Sequence, residues 1–125
     1  MTNSISYKNF AQGVFDAMNM RDFSAMQNNI AENLLFDFPG SQKIEGAKRV
    51  VLFLTVLLRK YSTLTFTVSE IFTEGDRACA IWTNKGEYKD GKPYSNSGVT
   101  IFHFNEDKIS YMSDYFKDTS FTNSK

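Results

Sequence analysis

The chain has only one cysteine and one histidine among its 125 residues. Cys79 therefore has no partner for an internal disulfide, and a protein-held metal would lack nitrogen and sulfur ligands. Neither sign of charge is in excess, since 14 basic residues face 14 acidic ones. A nucleic-acid partner needs a basic field, so none is expected. The longest apolar run, residues 50–58, is far too short to span a bilayer. The N-terminus shows neither an apolar signal core nor a twin arginine. These absences predict a cytoplasmic protein with no cofactor, no metal and no membrane partner. A chain of this length buries about two-thirds of its unfolded surface and needs no staple. Cys79 lies in an apolar run and is expected to be a small buried residue.

What is plentiful is aromatic and β-branched residues, and they concentrate in the second half. Residues 94–116 read YSNSGVTIFHFNEDKISYMSDYF. Two apolar-rich runs flank the polar tip Asn105-Glu106-Asp107, which predicts an antiparallel hairpin. Pairing Phe104 with Lys108 sets Phe102 against Ser110, Thr100 against Met112 and Gly98 against Asp114. The other face carries Val99, Ile101, His103, Ile109, Tyr111, Ser113 and Tyr115. Both faces are largely apolar, whereas a sheet with one wet side shows polar residues there. The hairpin is therefore expected to be covered by helices on one face and by a second subunit on the other.

The rest of the chain supplies the helices. Tyr7, Phe10, Ala11, Val14, Phe15 and Met18 recur at helical spacing over residues 7–20, with Ser6 as a cap. Asp22 is placed to cap a second, short helix through about Asn28. Residues 34–38 read as a strand holding Asp37 and closed by Pro39-Gly40. Residues 41–45 read as loop. Residues 46–61 form a third helix whose apolar face holds Val50, Val51, Phe53, Leu54, Leu57 and Leu58. Residues 63–72 and 77–88 read as strands joined at Glu74-Gly75-Asp76, and Asp90-Gly91 turns the chain toward Tyr94. Residues 118–125 look like a tail with Phe121 as an anchor. Helices first and strands last predict a single α+β domain over residues 1–125, with three N-terminal helices on one face of the sheet.

This order resembles the nuclear-transport-factor-2-like superfamily, and within it the SnoaL-like polyketide cyclases, ketosteroid isomerases and limonene epoxide hydrolases. The resemblance covers about residues 7–121. Its most specific part runs from Gly91-Lys92-Pro93-Tyr94 through Lys108-Ile109 to Asp114-Tyr115-Phe116, which looks like the end of limonene epoxide hydrolase. The resemblance implies a cone-shaped roll whose curved sheet encloses a pocket. It also implies a homodimer joined through the outer sheet face. Asp114 falls at the aspartate beside the hydrolase's attacking water. Asp37 falls at the general base of ketosteroid isomerase. The hydrolase's Arg and second Asp have no match in Ala80-Ile81-Trp82-Thr83-Asn84-Lys85, and the isomerase's two oxyanion donors have none either.

Asp114 and Asp37 are thus the candidate catalytic pair. An ionised carboxylate in an apolar cavity costs several kcal/mol unless paired, so burial raises its pKa toward the range useful for acid/base work. Asp37 has a structural alternative, as a cap on the turn at Pro39-Gly40. Asp114 has one too, in a hydrogen bond to a neighbouring strand or a salt bridge to Lys117. Pairing Tyr88 with Tyr94 turns Trp82 and Asn84 inward beside Thr100, whereas an ungapped match to the hydrolase turns Ile81 and Thr83 inward. Tyr7, Phe15, Met18, Phe53, Leu57, Met112 and Phe116 would line the rest of a pocket for a small hydrophobic molecule. His103 falls on the face away from Asp114. The expected activity is cofactor-free isomerase, cyclase or hydrolase chemistry; the alternative is a dimeric domain that only binds.

Overall fold

A computed structural model of the chain describes residues 4–24 and 26–120. Two α-helices and six strands follow in the order α1 (Ser4–Met20), β1 (Ile30–Asp37), β2 (Ile44–Glu45), α2 (Ala47–Leu58), β3 (Tyr61–Glu74), β4 (Arg77–Tyr88), β5 (Pro93–Asn105) and β6 (Lys108–Phe116). The strands form one open mixed sheet in the order β2-β1-β6-β5-β4-β3. Only β1 and β6 run parallel; every other neighbouring pair is antiparallel. The sheet curves around its helices, with irregularities in β1, in β3 and near the start of β6 that bend the ladder. Helix α1 packs on β3 and β4, and α2 packs on β1.

The α+β class is as read from the sequence, but the middle of the three expected helices is absent. The Asp22 carboxylate accepts from the Ser24 N–H at 3.2 Å and the Ser24 hydroxyl at 2.7 Å. That local turn replaces a helix start, and only a 3₁₀ turn at Met26–Asn28 follows. Helix α1 begins at Ser4, so Ser6 lies inside it and does not cap it. Its C-terminus closes with Arg21 at φ 55°, Asp22 N–H donating to Ala17 C=O and Arg21 N–H to Met18 C=O. That is the Schellman pattern of a left-handed cap. Strand β1 is longer than expected, and the short strand β2 lies in residues read as loop. Phe121, the expected anchor of the tail, lies outside the described residues.

The final hairpin turns through Glu106 and Asp107, at φ 51° and 69°. Both central residues at positive φ suit a tight two-residue turn. Near the turn Phe104 pairs with Ile109; further along, past the irregularity, Phe102 pairs with Met112, Thr100 with Asp114 and Gly98 with Phe116. Along these last three pairs the expected register was off by two residues, which leaves their faces unchanged; at Phe104 it was off by one, so Ile109, expected on the outer face, turns into the core. Beyond β5, Trp82 pairs with Gly98. Gly98 thus sits between Trp82 and Phe116, whose rings meet at 5.3 Å over it. A Cβ on Gly98 would come within 2.2 Å of the Tyr115 carbonyl, so the close approach of β5 and β6 requires glycine.

One face of the sheet holds the core with the helices: Ala78, Ala80, Trp82, Phe102, Phe104, Ile109 and Met112 are buried beside Phe15, Leu34, Phe36 and Val50. On the other face Ile81, Val99, Ile101, His103 and Tyr111 are half-buried, and Phe72 and Tyr115 are exposed. Cys79 is half-buried there, not fully buried as expected, and burial pushes its thiol pKa up. The His103 ring packs on Tyr111 at 4.4 Å, and burial and the charge of Arg77 push its pKa down. No described helix is long and apolar enough to cross a membrane, and the described residues hold no cluster of potential metal ligands.

Candidate functional site

A pocket lies between the core face of the sheet and the helices. Its walls are Val14, Phe15 and Met18 from α1, Leu54, Leu57 and Leu58 from α2, and Phe36 and Phe38 from β1 and the residue after it. The sheet adds Leu64, Phe66, Trp82, Met112 and Phe116. Polar groups are few: Asn84, Thr100, Asp114 and the phenols of Tyr61 and Tyr94. Period-two alternation explains their selection. On β4, Ala78, Ala80, Trp82 and Asn84 are buried while the residues between them are not. The free space inside is about 50 Å³. At on the order of 10–15 Å³ per water, that holds a few waters. A larger guest must move side chains.

Asp114 and Thr100 are directly cross-paired on β6 and β5. The Thr100 hydroxyl donates to Asp114 Oδ1 at 2.7 Å. Trp82, a diagonal neighbour, donates its indole N–H to the same hydroxyl at 3.0 Å. An indole can only donate, so Thr100 accepts from Trp82, and toward an ionised Asp114 it spends its single proton. The direction of the chain is then from Trp82 through Thr100 to Asp114. Asp114 Oδ2 has no protein partner among the described residues. Burial pushes the Asp114 pKa up to about 7, against the bond from Thr100, which lowers it; the negative charge of Asp37 adds a further rise. A carboxyl in that range takes up and releases protons near neutrality.

Tyr61 and Tyr94 form the mouth. Their ring centres lie 4.8 Å apart, and Tyr88 packs on Tyr61 at 5.2 Å and on Tyr94 at 5.3 Å. Burial, with the neighbouring Tyr94 and Tyr88, pushes the Tyr61 pKa up, so its phenol stays protonated. Outside the mouth lies a wider groove of about 560 Å³ that shares Tyr61 and Tyr94 with the pocket. Lys60, Tyr88, Pro93, Ser95, Asp118 and Ser120 complete it. Asn96 fixes one wall by donating to the Asp118 carbonyl at 2.9 Å and accepting from the Asp118 N–H at 3.2 Å.

Of the residues expected at the site, the structure gathers Asp114, Trp82, Asn84, Thr100, Met112, Phe116, Phe15, Met18 and Leu57 around one space. Asp37, Phe53 and Tyr7 are not among its walls; Tyr7 stacks on Phe104 with ring centres 4.1 Å apart. Asp37 lies between Phe36 and Phe38, which both face inward, so alternation points it to the other face. It does not cap the turn either: Ser41 N–H donates to Phe38 C=O there. Phe53 stands behind the wall, with its ring 6.0 Å from Phe36 and 5.1 Å from Phe38. Asp114 does bond to a neighbouring strand, through Thr100, and that bond lies inside the pocket. The inward residues of β4 are Trp82 and Asn84; Ile81 is half-buried and Thr83 exposed. The sequence reading missed Tyr61 and Tyr94. Tyr94 shares the parity of Gly98 and Thr100, a signal that was available; Tyr61 opens a strand where a helix end was expected.

Comparison with known proteins bears on the fold and the family. A family model described as the SnoaL-like domain matches residues 11–112. It stops short of Asp114, so the role of that residue rests on its own geometry. No curated protein sequence matches the chain. Among solved structures, a protein from Jannaschia sp. CCS1 assigned as a SnoaL-like polyketide cyclase superposes with a TM-score of 0.82 at 16% identity, covering 91% of this chain and 87% of that one. An NTF2-like protein from Anabaena variabilis superposes with a TM-score of 0.82 at 18% identity, covering 94% and 95%. TerC, crystallised with polyporic acid, gives 0.84 at 14% identity, covering 94% and 96%. At these identities the likeness is one of fold.

Proposed function

The chain belongs to the SnoaL-like domain family, and from that premise we propose that it is a cofactor-free enzyme acting on a small, largely hydrophobic molecule by acid/base chemistry at Asp114. The observation that carries this reading is a carboxyl in an aromatic pocket with its pKa raised to about 7 and one oxygen held by Thr100. Asp114 Oδ2 is the atom that exchanges a proton with substrate or water. Thr100 and Trp82 position it. Asn84 orients the substrate. Asp37 acts through its charge, as a positioning residue that helps keep Asp114 protonated. Isomerisation, cyclisation and water addition all need such a group, and the reading covers that class of reactions.

The test is turnover on a panel of small enolisable ketones and epoxides, followed across pH. The expected result is a rate that bends near pH 7 and falls by about 10²–10⁴-fold in Asp114→Asn. Unchanged turnover in that variant would sink the reading. One observation favours a second reading, a domain that binds a hydrophobic ligand without turnover. Apart from Asp114, the only ionisable residues lining the pocket among the described residues are the two tyrosines, so no second acid or base stands ready there. Binding that survives Asp114→Asn, with no substrate turned over, would select it.

The outer sheet face belongs to the same proposal. Ile81, Val99, Ile101 and Tyr111 are half-buried there, beside exposed Phe72 and Tyr115. A second copy of the chain would cover this apolar surface and give a homodimer. Sedimentation at micromolar concentration should show a dimer for the natural chain and a monomer for Ile101→Lys. A natural chain that sediments as a monomer contradicts the proposal.

A further inference from the structure

Asn84 is 6% exposed, and its Oδ1 has no hydrogen-bond partner among the described residues. A buried acceptor left unpaired is costly, and native interiors seldom tolerate one without a use. Three donor-bearing residues on its sheet face are committed elsewhere. The Trp82 indole N–H goes to Thr100, and the Thr100 hydroxyl goes to Asp114. Asn96, its directly paired neighbour on β5, spends its amide on the Tyr94 hydroxyl, the Asp118 carbonyl and the Ser97 N–H. On the other side its partner is Phe66, which has no polar side-chain atom. The amide borders the free space of the pocket. Among the described residues no donor completes it.

We propose that the molecule held in this pocket carries an O–H or N–H group that donates to Asn84 Oδ1, and that Asn84 selects for that group. The inference rests on the reading of the pocket as a small-molecule site, and it narrows the ligand from any hydrophobic body to one bearing a donor. The pocket then has two polar poles. Asp114 meets the reacting part of the molecule, and Asn84 meets a hydroxyl or amine elsewhere on it. An apolar body fills the space between the aromatic walls. A site built around a hydrogen bond rejects the analogue that lacks the group, because binding that analogue leaves the protein's own polar atom unpaired.

Three probes of similar size separate the possibilities: phenol, toluene and the acceptor-only benzonitrile. Trp82 is the only tryptophan in the chain and lines the pocket, so its single indole N–H resonance reports occupancy. The expected result is phenol binding about tenfold or more tighter than toluene, although water holds phenol back more strongly. Asn84→Leu should reverse that order while still binding toluene. Toluene binding as tightly as phenol to the natural protein would overturn the inference and leave the pocket reading intact. So would benzonitrile outbinding phenol, or a phenol preference that persists in Asn84→Leu. Binding of none of the three would overturn the pocket reading and this inference with it.

Discussion

Asp114→Asn stabilises the protein by as much as about 4 kcal/mol at pH 8 and by almost nothing at pH 4. The magnitude follows from the rise of the Asp114 pKa from its ordinary value of 3.8 to about 7, at about 1.4 kcal/mol for each tenfold change in proton affinity. The sign follows from proton counting. Below pH 4 the carboxyl is neutral in both the folded and the unfolded chain, and burial carries no penalty. Between pH 4 and pH 7 the unfolded chain gives up its proton while the folded chain keeps it, so stability falls as pH rises. Above pH 7 both states are ionised and the full penalty remains. Asn keeps an oxygen for Thr100 and never ionises, so the variant lacks this slope. Urea unfolding of both proteins from pH 4 to pH 8 measures it, and the other titrating groups cancel in the difference. A difference that stays flat with pH would mean that Asp114 is well solvated.

Trp82→Ala destabilises the protein by about 3–5 kcal/mol, the usual cost of truncating a large buried aromatic. The side chain is 1% exposed and packs on three other rings. Phe66 and Phe116 each lie 5.3 Å away and Phe15 lies 6.4 Å away. No neighbouring side chain stands on Gly98 to collapse into the space, so a cavity remains. The change has a second consequence that a structural role alone would not produce. The Thr100 hydroxyl loses its donor, and water enters beside Asp114, so the Asp114 pKa moves down toward its ordinary value. Trp82→Phe separates the two effects, because it keeps most of the volume and removes only the N–H. Thermal unfolding and carboxyl titration of both variants check this. A loss below about 1 kcal/mol in Trp82→Ala would show that the wall is loosely packed.

Much of this site was legible in the sequence because a strand's faces survive errors that its register does not. The pairing read for β5 and β6 was two residues out over Gly98 to Phe102, and so was the pairing of β4 with β5. An even slip keeps parity, so Trp82, Asn84, Thr100 and Asp114 were still placed on one face. The slip arose from a two-residue turn read as three and from an irregularity near Phe104 that no residue type announces. Asp37 was misplaced for a different reason. The alternation of Leu34, Phe36 and Phe38 already turns it to the opposite face; the likeness to the isomerase, not the local pattern, put it in the pocket. The missing helix follows from one side chain, since Asp22 served equally well as a helix cap or a turn residue. The mouth at Tyr61 was hidden because the third helix ends at Leu58 and the chain turns at once into β3.

The chemistry proposed for this pocket depends on Asp114 being a carboxyl held near neutrality by its burial. Carboxyl-detected NMR titration of the protein, with Asp114→Asn identifying the resonance, measures this directly. A midpoint near pH 7 is the predicted result, and Asp37→Asn should lower it by removing a nearby negative charge. A midpoint near the ~3.9 of a solvated aspartate would contradict the account.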